Sequence, residues 1–120
     1  MNAKEVVLEF YKSDNLLDKV AVSHLLHPEV SVDWNSSKGF IQMNYDDILN
    51  LTDELSRAYV RSKVRISHII AEDNLVSLRY SHFVKTIENP REEMLLANFF
   101  VIWEIKDSKL YRGFQMSQFS

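Results

Sequence analysis

The hydrophobic period changes near residue 60, and that change limits the folds open to this chain. Beyond Tyr59 the apolar residues alternate, as they do in strands with one buried face. In 60–71, Val64, Ile66, His68 and Ile70 share one parity, while Lys63, Arg65 and Ser67 share the other. "EDN" at 72–74 signals a tight turn. In 75–87, Val76, Leu78, Tyr80, His82 and Val84 face one way. "ENPRE" at 88–92 is the next connection, and 93–106, "EMLLANFFVIWEIK", is apolar on both parities, the mark of a central strand covered on both sides. "DSK" at 107–109 turns the chain into a last strand over 110–119. Strands joined by turns this short run antiparallel, so this half is a meander. A tight hairpin at 72–74 makes pairing partners sum to about 146 or 147, which sets His68 beside Leu78 and Arg79.

The first half carries helical spacing. Ala3, Val6, Val7, Phe10 and Tyr11 predict a helix over 3–13, with Asn2 and Glu5 in capping-box positions. "SDN" at 13–15 breaks it. Asn15 is expected to cap a second short helix with Leu16, Leu17, Val20, Ala21, His24 and Leu25 on its buried face. Pro28 ends that helix, because proline disfavours helical geometry in the residue before it. A short strand over 29–34 and a loop, "NSSKGFIQMN", lead to a third helix over 45–59, capped by Asn44 and Asp47. Helices first and a meander after is an α+β layout, with helices on one face of a curved sheet. The length of 120 residues suits a single domain spanning 1–120.

Composition removes several function classes. The net charge of −3, with no run of Lys or Arg longer than two, argues against nucleic acid, whose phosphates demand a basic face. There is no cysteine, hence no disulfide framework, thiolate metal site or thiol nucleophile. "MNAKEVVLEF" holds Lys4 and Glu5 and no uninterrupted apolar segment, so no signal peptide is read there, and no apolar run could span a bilayer. A cytoplasmic protein without membrane contact is the expectation.

The helix pair with its polar break, "FYKSDNLLDKVAVSHLLHPEVSVDW", the longer helix after it, and the long strands closing with "VIWEIKDSKLYRGF" together resemble the SnoaL-like and nuclear transport factor 2-like superfamily. The resemblance covers essentially the whole chain and rests on element order and spacing. It implies a cone-shaped α+β barrel, with N-terminal helices packed on a curved, mostly antiparallel sheet and a pocket inside. It also implies a small apolar or amphipathic ligand, no cofactor, and a homodimer packed through the backs of the sheets. Members include isomerases, dehydratases, cyclases and epoxide hydrolases, and others only bind proteins, so fold alone does not select an activity.

By that resemblance Asp33 falls near the general-base position of ketosteroid isomerase, just after the first strand. The oxyanion tyrosine of that enzyme falls near Val7, with Tyr11 one turn on. Its partner acid falls near Asn98 to Phe100, where no carboxylate stands. Steroid isomerisation is therefore not implied. A base at Asp33 would need reach to its proton, and burial beside Trp34 would raise its pKa; the alternative is a loop-capping aspartate.

His68 and His82 share the apolar parity of neighbouring strands and stand as acid or orienting groups, or as packed core histidines. No HxH or HExxH spacing joins them to Asp33, so no metal is expected. His24 and His27 suit a helix C-terminus. Tyr11, Trp34, Tyr45, Tyr80 and Trp103 are expected as pocket walls, with Tyr11, Tyr80 and Asn98 as hydrogen-bond donors to a ligand. Arg61, Lys63 and Arg65 form a solvated basic stripe.

Phe99, Val101 and Trp103 oppose Phe100 and Ile102 across the central strand, so one set faces the helices and the other needs a second cover. Two functional readings follow. One is a pocket protein with proton-transfer, hydration or elimination chemistry at Asp33. The other is a non-catalytic dimeric interaction module with a filled pocket. They separate on whether Asp33 and a histidine converge on one cavity.

Overall fold

The computed structural model describes residues 1–119. The elements are α1 (Ala3–Phe10), a 3₁₀ turn (Asn15–Leu17), α2 (Lys19–Leu25), β1 (Leu26–Ser36), β2 (Gly39–Met43), α3 (Tyr45–Ala58), β3 (Tyr59–Glu72), β4 (Leu75–Thr86), β5 (Met94–Lys106) and β6 (Lys109–Phe119). The strands form one six-stranded sheet in the order β2-β1-β6-β5-β4-β3. β1 runs parallel to β6 and every other neighbour pair is antiparallel. This is the α+β layout that the periods imply, with the helices on one face of a mostly antiparallel sheet.

Local chemistry accounts for the helix ends. Asn2 with Glu5, and Asn44 with Asp47, form complete capping boxes on α1 and α3, each satisfying orphan amides at a helix start. The second helix differs from expectation. Asp18 is its N-cap, accepting from the Ala21 amide. Asn15 instead donates to the Glu9 and Phe10 carbonyls and closes α1. The later start rotates the buried face onto Val22 and Leu25, leaving Val20 66% exposed.

The loop expected over 35–44 contains β2, which pairs with β1 from Ser36↔Gly39 to Val32↔Met43. Four of the five β2 residues are exposed, so this edge strand carries no alternation to read. Gly39 sits at φ +113°, a conformation that a side chain would strain, at the turn of the hairpin.

The inner face of the sheet is the core. β4 contributes Val76, Leu78 and Tyr80, β5 contributes Ala97, Phe99, Val101, Trp103 and Ile105, and β1 contributes Val30 and Val32. Burying each large side chain is worth about 1.5–3 kcal/mol. Gly113 on β6 is the space into which Trp103 fits; a Cβ there would lie 2.7 Å from the indole ring. No helix among the described residues is long and apolar enough to cross a membrane.

Candidate functional site

A cavity of ≈ 120 Å³ lies between the inner sheet face and helices α1 and α3. Its walls are mostly aromatic and aliphatic, with Phe10 and Tyr11 from α1, Leu51 and Leu55 from α3, Trp34 from β1, Tyr80 from β4, and Phe99 and Trp103 from β5. A second chamber of ≈ 290 Å³ adjoins it and shares Trp34, Leu51, Leu96 and Phe99. An apolar cavity of about 150 Å³ can hold a benzene ring; the inner chamber is somewhat smaller, and together with the adjoining one it leaves room for a small ring.

The aromatic walls are mutually fixed. Tyr80 stacks on Phe99 with centroids 4.7 Å apart and planes 9° apart. Phe10 meets Tyr11 and Trp103 edge-on at 4.8 and 5.9 Å. Such pairs add about 0.5–1.5 kcal/mol beyond burial. Trp34 is held by its indole N–H, which donates to Ser117 Oγ at 2.8 Å.

The polar groups of the inner chamber are few and uncharged. Trp103 Nε1 donates to the Tyr11 hydroxyl oxygen at 2.9 Å. Burial pushes Tyr11 up to about 12, against the lowering effect of hydrogen bonds from Trp103 and Tyr80. Tyr80 is raised well above the ordinary phenol value, first by burial and then by Tyr11. Both phenols therefore keep their protons at neutral pH. The Tyr11 oxygen already accepts a bond, so its own proton is available to a ligand. His82 is 3% exposed, and burial alone depresses its pKa from 6.5 to about 4. It is a neutral imidazole at pH 7. Its Nε2 lies 2.7 Å from Ser62 Oγ. Gln115 and Thr52 complete the polar edge, and the Thr52 hydroxyl is engaged with the Ile48 carbonyl.

Of the residues marked out in the sequence, Tyr11, Trp34, Tyr80, His82 and Trp103 line this cavity. Asp33 does not. Val32 and Trp34 take the inward positions of β1, and alternation turns Asp33 outward, where Gln42 Nε2 donates to its Oδ1 at 2.9 Å. Asp33 and His82 therefore do not share this cavity, the arrangement on which the reading with chemistry at Asp33 depended.

His68 is also outside. Pairing partners sum to 146 from Arg61↔Lys85 to Ile66↔Tyr80 and to 147 from His68↔Arg79, so a β-bulge sits between Ile66 and His68. The extra residue reverses the parity. Ile69 then packs inward against the core, while His68 is exposed with its Nδ1 3.1 Å from Ser67 Oγ. Asn98 lies on the outer face and accepts from Ser81 Oγ at 2.6 Å. Tyr45, the first residue of α3, reaches α2 with its hydroxyl, which donates to the Ser23 carbonyl at 3.4 Å, and it takes no part in the cavity wall.

Phe99, in the cavity wall, and Ser62, bonded to His82 in that wall, were not marked out in the sequence as site residues. Ser62 shares the parity of Val64 and Ile66, so a serine in line with apolar neighbours was the available signal. The basic stripe is paired rather than free at two of its members, Arg61 with Asp14 and Arg65 with Glu93. Among the described residues, no three His, Asp or Glu side chains gather as a metal site would require.

Comparison with known proteins agrees with this architecture. IdmH of Streptomyces antibioticus, a polyketide cyclase candidate, superposes with a TM-score of 0.76 at 10% identity over 98% of this chain and 92% of its own. A SnoaL-like polyketide cyclase candidate from Shewanella denitrificans gives 0.72 at 10% identity over 96% and 89%. The chain has the SnoaL-like, nuclear transport factor 2-like fold. An LEH-like epoxide hydrolase of M. tuberculosis shares it at a TM-score of 0.72 and 14% identity, over 96% of this chain and 81% of the other. No family model matches the sequence, and no curated protein matches it.

The outer face of this SnoaL-like sheet carries the set opposed to Trp103. Phe100 is 62% exposed and Met116 63%, with Ile102, Phe114 and Phe40 also exposed. Register aligns them. Phe40, Asn35, Met116, Phe100, Arg79 and His68 form one row across all six strands, and Gln42, Asp33, Phe114, Ile102, Ser77 and Ile70 form the next.

Proposed function

We propose that this chain binds a small, uncharged, largely apolar molecule carrying a hydrogen-bond acceptor such as a carbonyl oxygen. The observation that carries this reading is the composition of the inner chamber. Aromatic walls surround a few polar groups, and none of these is charged at neutral pH. A charged ligand would have to leave water for a site that offers no counter-charge, at a cost of several kcal/mol. A neutral carbonyl would meet the Tyr11 and His82 hydrogens as its partners, the Tyr80 hydroxyl being turned to the Tyr11 oxygen.

The same composition restricts the chemistry. His82 with a pKa of about 4 is a weak base at pH 7, and no carboxylate lines the inner chamber. Abstraction of a proton from an unactivated carbon has no agent there. Donors aimed at one oxygen can instead stabilise negative charge developing on a carbonyl while the substrate supplies its own nucleophile. That pattern suits an intramolecular addition or cyclisation. It assigns no catalytic part to Asp33.

Native mass spectrometry of the protein as purified, and after incubation with a mixture of small ketones and phenols, tests this reading. Capture by the wild type and its loss in Leu51→Trp, which fills the junction of the two chambers, is the expected result. Capture by neither protein removes the small-molecule reading.

The outer face supports a second statement, that two copies pack through the backs of their sheets. An apolar patch of this kind is unusual on a monomer. Asp33, Arg79 and His68 would then sit at the polar margins of that interface. Sedimentation at micromolar concentration should give twice the 14.1 kDa chain mass, and a 14.1 kDa species alone would contradict it.

A further inference from the structure

Ser62 is not part of the cavity wall but is bonded to His82, which is. Both residues are 3% exposed. A buried hydroxyl needs an acceptor for its proton. Among the described residues Ser62 Oγ has one hydrogen-bond partner, His82 Nε2 at 2.7 Å. Only one arrangement leaves no buried hydroxyl proton unpaired: Oγ–H donates and Nε2 accepts. The bare nitrogen is then Nε2, and the neutral ring carries its proton on Nδ1. Among the described residues Nδ1 has no protein partner, yet it is not sealed away from all space. His82 is part of the cavity wall.

The serine is held firmly enough to set this orientation. The Asp14 amide donates to the Ser62 carbonyl at 2.7 Å, and the Ser62 amide donates to Asp14 Oδ1 at 2.9 Å. Arg61 Nη1 fixes the other carboxylate oxygen at 2.7 Å. Asp14 itself occupies the left-handed region at φ +65°, a conformation uncommon outside glycine and held here by these bonds.

We infer that Ser62 is a positioning residue that locks His82 in the Nδ1–H tautomer and so makes it a hydrogen-bond donor to whatever the cavity holds. This rests on the reading of the cavity as a ligand site. It adds a definite polarity to that site, with a donor where a histidine could equally have presented an acceptor.

Two-bond ¹H–¹⁵N correlation spectra of the imidazole, recorded on the free protein at pH 7, report the tautomer directly. In the wild type, Nε2 should resonate as the unprotonated nitrogen and Nδ1 as the protonated one. Ser62→Ala, its fold checked by amide dispersion, should move the ring toward the Nε2–H form, and Ser62→Thr should retain the wild-type pattern. If Ser62→Ala does not fold, Ser62→Cys replaces the hydroxyl with a weaker donor and should give a mixture. A wild-type ring protonated on Nε2 overturns the inference. So does a tautomer unchanged in folded Ser62→Ala or Ser62→Cys. Adding cyclohexanone to the wild type should then shift the Nδ1–H signal. The expected tautomer without that shift would leave the lock standing and contradict the ligand reading.

Discussion

The two faces of β5 use alternate residues of one strand for opposite ends. Phe99, Val101 and Trp103 face inward at 8, 2 and 3% exposure, and Phe100 and Ile102 face outward at 62 and 47%. The inner set meets helices, a glycine and a cluster of phenols, and builds an uncharged chamber. Among the described residues no second layer covers the outer set, which meets only its own sheet face, with Arg79 beside the Phe100 ring; its polar neighbours Asp33, Asn98 and His68 are among those that the sequence offered as chemistry. The difference teaches that residue type alone does not locate a site in a strand. A carboxylate or histidine has the same letter on either face, and a shift of one residue decides which solvent it sees.

The sharpest way to break this comparison is to truncate each face in turn. Phe99→Ala should cost about 3–5 kcal/mol of stability in denaturant unfolding. Phe100→Ala should change the stability of the isolated chain by no more than about 0.5 kcal/mol, while weakening self-association in sedimentation. Equal losses would mean that the faces are not distinct.

The buried imidazole gives the next largest effect. His82 has a folded pKa of about 4 against 6.5 when unfolded. Between those values the unfolded chain binds the extra proton, so stability is complete above pH 6.5 and falls as the pH drops toward 4. The loss from this group reaches about 3 kcal/mol, at 1.36 kcal/mol per unit. Urea titrations across that range should show the slope in the wild type and a shallower one in His82→Leu.

Gly113→Ala should destabilise by about 1–3 kcal/mol, because the new methyl meets the Trp103 ring and overpacks the core. It should also change the environment of Trp103, read as an altered fluorescence spectrum. The smallest effect is expected of Asp33→Asn. Its one side-chain bond, from Gln42, is at an exposed edge, so stability should stay within about 0.5 kcal/mol and cyclohexanone binding should be unchanged. Loss of binding in that variant would return Asp33 to the site.

Much of this was legible in the sequence. The period of two, the turn signals "EDN" and "DSK", and a strand apolar on both parities placed four strands to within a residue or two. Capping residues placed the first and third helix starts. What escaped reading has identifiable physical causes. β2 is an exposed edge strand whose side chains do not alternate in burial. Asp18 rather than Asn15 caps α2, because both residue types can cap and only the fold decides between them. The bulge after Ile66 leaves no mark in composition, yet it moves His68 to the outer face. Asp33 takes the parity opposite to Trp34, whose bulk claims the interior. Phe99, Tyr11 and Trp103 come from elements far apart in sequence, and their meeting depends on the sheet order.

The central claim is that the ligand site is the inner chamber, lined by both tryptophans of the chain, Trp34 and Trp103. A ¹H–¹⁵N titration of the wild type with cyclohexanone reads it directly. Both indole N–H signals should shift and saturate together, while the amides of Phe100, Ile102 and Met116 should not move. Unmoved indole signals at saturating ketone, or shifts confined to the outer face, would contradict it.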